Sequence, residues 1–285
     1  LFSTLLTDRV PRLRRGKDVV AQARKVLALT GMPSSMTSWD RVQLRAMNWF
    51  GPLIPGIAGP AVRKRIQTES EPYLFPGEAG ALGEAVLGLQ KTGVRVNINQ
   101  LGEEVLGHDE ADRHMTAYLD LLSTPEVDTI SVKISSICAQ LNPLAWDASM
   151  ARVCEALERL YRVAMTEGKD EPKLVMLDME AYRDLELTHR AFVEVLSRPE
   201  FKNLKAGIVL QAYLPDSHGV QEELIAWARQ RRSDGGAPIQ MRLVKGANLA
   251  VERVESSLMD WPLPIFESKP MVDASFKEMV GRALT

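Results

Sequence analysis

The sequence predicts an α/β protein: an incomplete (β/α)8 TIM-like barrel preceded by an N-terminal helical region. Three observations carry this. From residue 93 onward, five short apolar runs alternate with longer stretches of helical periodicity, which implies a parallel sheet with right-handed crossovers. The units have about the length of barrel units, and no GxGxxG follows any of the apolar runs. Residues 1–92 carry helical spacing alone. A doubly wound sheet is the second choice.

In the helical region, Asp18–Leu29 has apolar residues at helical spacing, and Thr30-Gly31-Met32-Pro33 stops it. Ser38-Trp39-Asp40 opens a second helix running to about Phe50, and Gly51-Pro52 with Pro55-Gly56 makes a break. A basic helix is expected at Val62–Gln67, then a loop over Glu69–Gly77. Glu78–Thr92 reads as helix, with Gly93 as its C-cap. The strands expected next are Val94–Ile98, Thr129–Ile134, Leu174–Leu177, Ala206–Ala212 and Ile239–Val244. The intervening helices are Glu110–Leu122, Ala148–Thr166, Leu185–Leu196 and Val220–Arg231, with Leu249–Leu258 and Val272–Leu284 following the fifth strand. The expected domain boundary lies between residues 92 and 93.

Composition excludes several classes. A chain of 285 residues suits one large α/β domain or two smaller ones. The net charge of −2 supplies no basic field to recruit nucleic acid. The two cysteines, Cys138 and Cys154, have no metal-type spacing and suit a reducing compartment. No apolar stretch reaches membrane-spanning length. The opening Leu1–Leu6 is too short for a signal core, and Asp8 and Asp18 argue against a transit peptide. Both ends are expected to have been trimmed from something longer.

The strand ends carry the chemistry. Barrel active sites are built at the C-terminal ends of the strands. Here those ends are polar in turn: Asn99-Gln100-Leu101-Gly102-Glu103, then Lys133 with Ser135-Ser136, then Asp178-Met179-Glu180, then Gln211 and Tyr213, then Arg242, Lys245 and Asn248. Ile239–Asn248, read IQMRLVKGAN, delivers an arginine, a lysine and a glycine at one strand end. Such cations meet an anionic or electron-rich ligand, and glycine lets backbone approach it. The competing reading is a set of structural ion pairs at the barrel mouth.

Other residues are bland. His108 and His114 lack a metal-binding arrangement, and His189 and His218 stand alone. Trp146, Trp227 and Trp261 read as packing anchors, and Arg63-Lys64-Arg65 as one exposed helix face.

Over about residues 94–285 the chain resembles the proline dehydrogenase family of flavin-dependent barrels. The matching segments are Leu101-Gly102-Glu103, Ser131-Val132-Lys133-Ile134-Ser135, Leu177-Asp178-Met179-Glu180, Val209-Leu210-Gln211-Ala212-Tyr213 and Arg242-Leu243-Val244-Lys245-Gly246-Ala247. Their order and strand placement together are specific. The long helical lead-in is more similar to the bifunctional proline utilisation A type, in which an aldehyde dehydrogenase domain follows.

The resemblance implies oxidation of L-proline to Δ1-pyrroline-5-carboxylate with FAD as hydride acceptor. It places Lys133 on the proline carboxylate and Glu103 as a gate carboxylate. Asp178 and Arg242 become the catalytic pair, with Arg242 beside the reactive edge of the flavin ring. Met179, Gln211, Val244, Lys245, Gly246, Ala247, Asn248, Ser268 and Lys269 become cofactor contacts. No metal is implied. The family also suggests a quinone acceptor and a cytoplasmic location with peripheral contact to the inner membrane.

Two departures from the family pattern stand out. Asn248 and Leu249 occupy positions where many members have aromatics. The family's next strand, with its Thr-His motif, is absent before Thr285, as is the helix bearing an arginine pair. The chain is therefore expected to be truncated before barrel strand six and inactive alone. The competing functions are a barrel lyase using Lys133 or Lys245 as a Schiff base, and an inactive fragment or scaffold.

Overall fold

The structure is a computed structural model that describes residues 5–6, 9–10, 13–33, 36–70, 74–75, 77, 79–100, 104–168 and 171–284. The chain divides into two compact units, Leu1–Gly77 and Glu78–Thr285.

The first unit contains α1 (Gly16–Thr30), α2 (Ser38–Phe50) and α3 (Pro55–Ser70). α1 buries Val19, Val20, Ala23 and Val26, a stripe at helical spacing. Val19 and Val26 join Leu6 and Val10 in a small core, with Leu44, Val62 and Ile66 packed on it. α2 opens with a reciprocal cap. The Asp40 N–H donates to the Thr37 hydroxyl at 3.2 Å, and the Thr37 N–H to the Asp40 carboxylate at 3.3 Å. α3 is longer than the basic stretch 62–67. It starts at Pro55, where a missing N–H costs nothing, and continues into the expected loop as far as Ser70.

The second unit begins with α4 (Ala79–Gln90). There follow β1 (Asn97–Asn99), α5 (His108–Ser123), β2 (Thr129–Lys133), a single turn α6 (Ile134–Ile137) and α7 (Trp146–Thr166). Next come β3 (Leu174–Asp178), α8 (Leu185–Leu196), β4 (Ala206–Gln211), α9 (Ser217–Ser233), β5 (Gln240–Val244), α10 (Leu249–Met259) and α11 (Lys269–Ala283). α4 belongs with this unit. It buries Leu82 and Val86, and the Gln90 amide donates to the Glu126 carbonyl at 3.1 Å.

Among the described residues the sheet runs β1-β2-β3-β4-β5, and every neighbouring pair is parallel. Sequential order is the winding of a barrel; a doubly wound sheet reverses its order at a switch point. The TIM-like reading holds. The first strand sits later than 94–98, because helix α4 ends slowly. The Gly93 N–H bonds Gln90 and the Val94 N–H bonds Leu89, which commits that backbone to the helix terminus. The second strand stops at Lys133, because Ile134 opens a helical turn closed by the Cys138 N–H on its carbonyl.

Period two sorts the side chains. Ile130, Val132, Val175, Leu177, Ile208 and Leu210 are almost fully buried, and α5, α7 and α9 contact β2, β3 and β4. The opposite face carries Asn97, Asn99, Ser131, Lys133, Met176, Asp178, Gly207, Val209, Gln211, Arg242 and Val244, as the register requires. The charged strand residues, Lys133 and Asp178 at the strand ends and Arg242 in the middle of β5, are thus all on one face.

Candidate active site

Three of the expected residues form one row. Lys133 lies opposite Asp178, and Arg242 opposite Val209. The pairing Leu177↔Ile208 extends by one residue to set Asp178 beside Val209. Arg242 therefore reaches over a strand bearing only an aliphatic side chain, and its guanidinium pairs with the Asp178 carboxylate. The reach of an arginine and the small height of a valine make this possible. Lys133 takes a different acid: its ammonium lies 2.8 Å from Glu180. The site is thus two cations against two carboxylates, one pair joining neighbouring strands and the other reaching across β4.

Burial and pairing oppose each other at Asp178. Its side chain is 11% exposed, and desolvation raises its carboxyl above the ordinary carboxylate range. Arg242 and the hydrogen bond from the Ser131 hydroxyl pull it back down. Lys133 is 16% exposed while its partner Glu180 is 44% exposed. An incoming carboxylate can therefore replace Glu180 without opening the core.

Gln211 is 1% exposed and uses its amide on backbone. Its nitrogen donates to the carbonyls of Met179 at 3.0 Å and Glu180 at 2.7 Å. Its oxygen accepts from the Ala247 N–H at 3.0 Å. One side chain thereby fixes the exits of β3 and β5, and one acceptor lone pair remains.

The segment after β5 is tied to β4. The carbonyls of Val244 and Lys245 accept from the N–H groups of Ala212 and Tyr213 at 2.8 and 2.9 Å. Gly246 has φ 132°, and a Cβ there would lie 2.2 Å from the Tyr213 ring. Only glycine fits both conditions. Asn248 precedes α10, and its carbonyl accepts from the Glu252 N–H at 3.0 Å. Lys245 and Lys269 both contact Asp273, each at 2.5 Å. Their hydrogen bonds, Lys245 first, hold the Asp273 carboxyl down at about 2. Ser268 precedes α11 and makes no capping hydrogen bond. Glu103 lies outside the described residues.

Residues given no role from sequence also belong here. Glu180 is the partner of Lys133; it was visible in the third strand end, but nothing in the spacing chose it over Asp178. Ser131 shares the Lys133 face by simple alternation. Glu252 is 4% exposed and accepts from the Tyr182 N–H at 2.7 Å, tying α10 to the exit of β3.

A flavin fits these residues. Arg242 Nε is a buried donor without a partner on the site face. An isoalloxazine ring edge presents acceptors that can satisfy it. Among the described residues, no group of His, Cys, Asp and Glu could hold a metal.

The family model for proline dehydrogenase matches residues 83–285. The chain belongs to the proline dehydrogenase family. No curated protein matches it. Among solved structures it is similar to proline utilisation A (PutA) from Corynebacterium freiburgense, at 37% identity over 89% of this chain and 25% of that one, with a TM-score of 0.73. It is also similar to PutA from Bdellovibrio bacteriovorus inactivated by N-propargylglycine, at 25% identity over 99% of this chain and 28% of that one, with a TM-score of 0.78. At 19% identity, PutA from Bradyrhizobium japonicum shares the fold, with a TM-score of 0.67 over 99% of this chain and 31% of that one. The chain spans about a quarter of the length of the first two. Among the described residues, no helix is long and apolar enough to cross a membrane.

Proposed function

We propose that the protein oxidises L-proline to Δ1-pyrroline-5-carboxylate with FAD as cofactor. The observation that carries this is the paired set Lys133–Glu180 and Asp178–Arg242 on one face of the sheet, in a chain of the proline dehydrogenase family. Bound FAD would supply the hydride acceptor. This chain's residues would hold the substrate carboxylate and balance the charge beside the cofactor.

Lys133 would receive the proline carboxylate in exchange for Glu180, a compact ammonium suiting a single oxygen. Arg242 would hold positive charge where negative charge develops, with its unpartnered Nε as the available donor. Asp178 would keep that guanidinium aimed. Gln211 would hold the two loops in register and offer its remaining lone pair. Met179, Val244, Lys245, Gly246, Ala247, Asn248, Ser268 and Lys269 would line the cofactor, and Glu103 would gate the entrance. The substrate amine must be neutral to release hydride, and solvent takes its proton.

The likeness to PutA also supports a fused aldehyde dehydrogenase domain, a quinone acceptor and a cytoplasmic location with peripheral membrane contact. A Schiff-base lyase is less well supported. It needs a neutral amine free to attack, whereas Lys133 and Lys245 are each ion-paired.

The test uses the natural full-length protein. It is expected to carry flavin absorption that bleaches when proline is added without oxygen. Protein purified with no flavin and unable to take it up would overturn the proposal, as would flavin unaffected by proline.

A further inference from the structure

His218, on the first turn of α9, sits in a hydrogen-bond chain whose direction is fixed by chemistry. Arg282 Nη1 lies 3.2 Å from His218 Nδ1, and an arginine only donates. Ser275 lies 2.8 Å from His218 Nε2. The Ser275 hydroxyl gives its one proton to the Ala212 carbonyl at 2.7 Å, so it must accept from the imidazole. The ring is therefore neutral, with the proton on Nε2 and a bare Nδ1. The chain runs Arg282 to His218 to Ser275 to the carbonyl that follows β4.

This chain seats α11. Ser275 is 5% exposed on that helix, and Gln221 adds a bond from its amide to the Met279 carbonyl at 2.7 Å. Two residues before Ser275 stands Asp273, the carboxylate that takes both Lys245 and Lys269. Phe276 lies beneath Lys245 at 5.8 Å. The registration of α11 against β4 thus decides where two lysines after β5 are held.

We propose that His218 is a positioning residue: as a neutral relay between Arg282 and Ser275, it seats α11 and so places Lys245 and Lys269. Protonation turns Nδ1 into a donor facing a guanidinium. The other groups nearby are Glu278 on α11, 3.8 Å from Nδ1 and 3.0 Å from Arg282, with Glu222 and Gln221 on α9, at 3.2 and 3.1 Å from Arg282. A proton on Nδ1 therefore breaks the bond from Arg282, which keeps Glu278, Glu222 and Gln221, and so removes one tie between α9 and α11. The step from α11 to cofactor affinity rests on the proposed function; the seating of α11 does not.

Two readouts on the full-length protein test this. The first is hydrogen exchange of the α11 amides at pH 8 and pH 5.5, corrected for intrinsic rates. The second is the FAD dissociation constant at both values. The parent is expected to lose α11 protection and bind FAD about tenfold more weakly at the lower pH. His218→Gln keeps a donor for Ser275 but cannot titrate, so both dependences should flatten. The same pH dependence in His218→Gln, or α11 protection in the parent that ignores pH, overturns the proposal. A protein that binds no FAD at either pH sinks the proposed function, while hydrogen exchange still decides the role of His218.

Discussion

Two arginines in the second unit do opposite jobs. Arg231, in the last turn of α9, is 8% exposed and has no carboxylate partner among the described residues. It donates instead to carbonyls: Ala237 at 3.0 Å, Leu196, Phe201 at 2.7 Å, Lys202 at 2.9 Å and Leu204 at 3.2 Å. Trp227 stacks against it at 5.6 Å. These carbonyls lead into the N-terminal ends of β4 and β5. Arg242 stands at the other end of the same sheet, 40% exposed, with one carboxylate and a buried Nε left without a partner. A charge saturated by fixed dipoles is a structural staple. A charge balanced once and left one donor short is prepared for a ligand.

The sharpest way to break this comparison is at Arg231. Arg231→Met fills much of the space but strands the carbonyls it served. Each buried polar group left unsatisfied costs about 1–3 kcal/mol, so the variant should lose about 4 kcal/mol or more of stability. Urea unfolding measures it. A loss under about 1 kcal/mol would mean that the carbonyls find other partners and that Arg231 is no staple. On the proposed function, protein that remains folded should reduce bound flavin with proline at the parental rate.

Arg242→Met should show the reverse. Its pair with Asp178 is partly exposed, so the stability change should stay within about 1 kcal/mol. Loss of a fixed cation where charge develops should lower turnover about a hundredfold, with a smaller change in the Michaelis constant for proline. Anaerobic stopped-flow flavin reduction gives the number, and an unchanged rate would remove Arg242 from the chemistry.

These two residues also show what the sequence could reveal. Arg242 was visible because it interrupts an apolar strand, where a charge needs a reason. Period two then put it on the face of Lys133, Asp178 and Gln211. Arg231 was hidden in Arg-Gln-Arg-Arg, which reads as a solvated helix end. Its partners come from the end of α8 and the lead-ins to β4 and β5, and no local spacing encodes them. The same limit applies to the acid of Lys133. Asp178 and Glu180 share one side of the strand end, and only the long reach of Arg242 across Val209 assigns Asp178 elsewhere. His218 looked isolated because Ser275 and Arg282 are more than fifty residues away in sequence. The residues 101–103, which carry part of the family resemblance, lie outside the described chain.

The weakest expected effect concerns pH, and it sharpens the contrast between the two ends. The partners of Arg231 are carbonyls, which do not titrate. The C-terminal end of the sheet is crowded with acids: Arg183 there meets Glu104, Glu255 at 3.9 Å and Asp184 at 4.0 Å. Burial raises the Asp184 carboxyl to about 6, against the lowering effect of Arg183. The unfolded value is about 3.9. Because the folded value is the higher, the native state holds a proton that the unfolded chain has already released. The stability this gives is fully present below the unfolded value and is lost as pH rises through 6. Asp184→Asn cannot titrate. Between pH 4.5 and 7 the parent should therefore lose about 2 kcal/mol relative to that variant, read as the difference between two urea titrations. Curves that stay parallel would place Asp184 in contact with water and remove it from the charged cluster. The loss caused by Arg231→Met should be the same at both pH values, as expected for an arginine held by groups that carry no proton to lose.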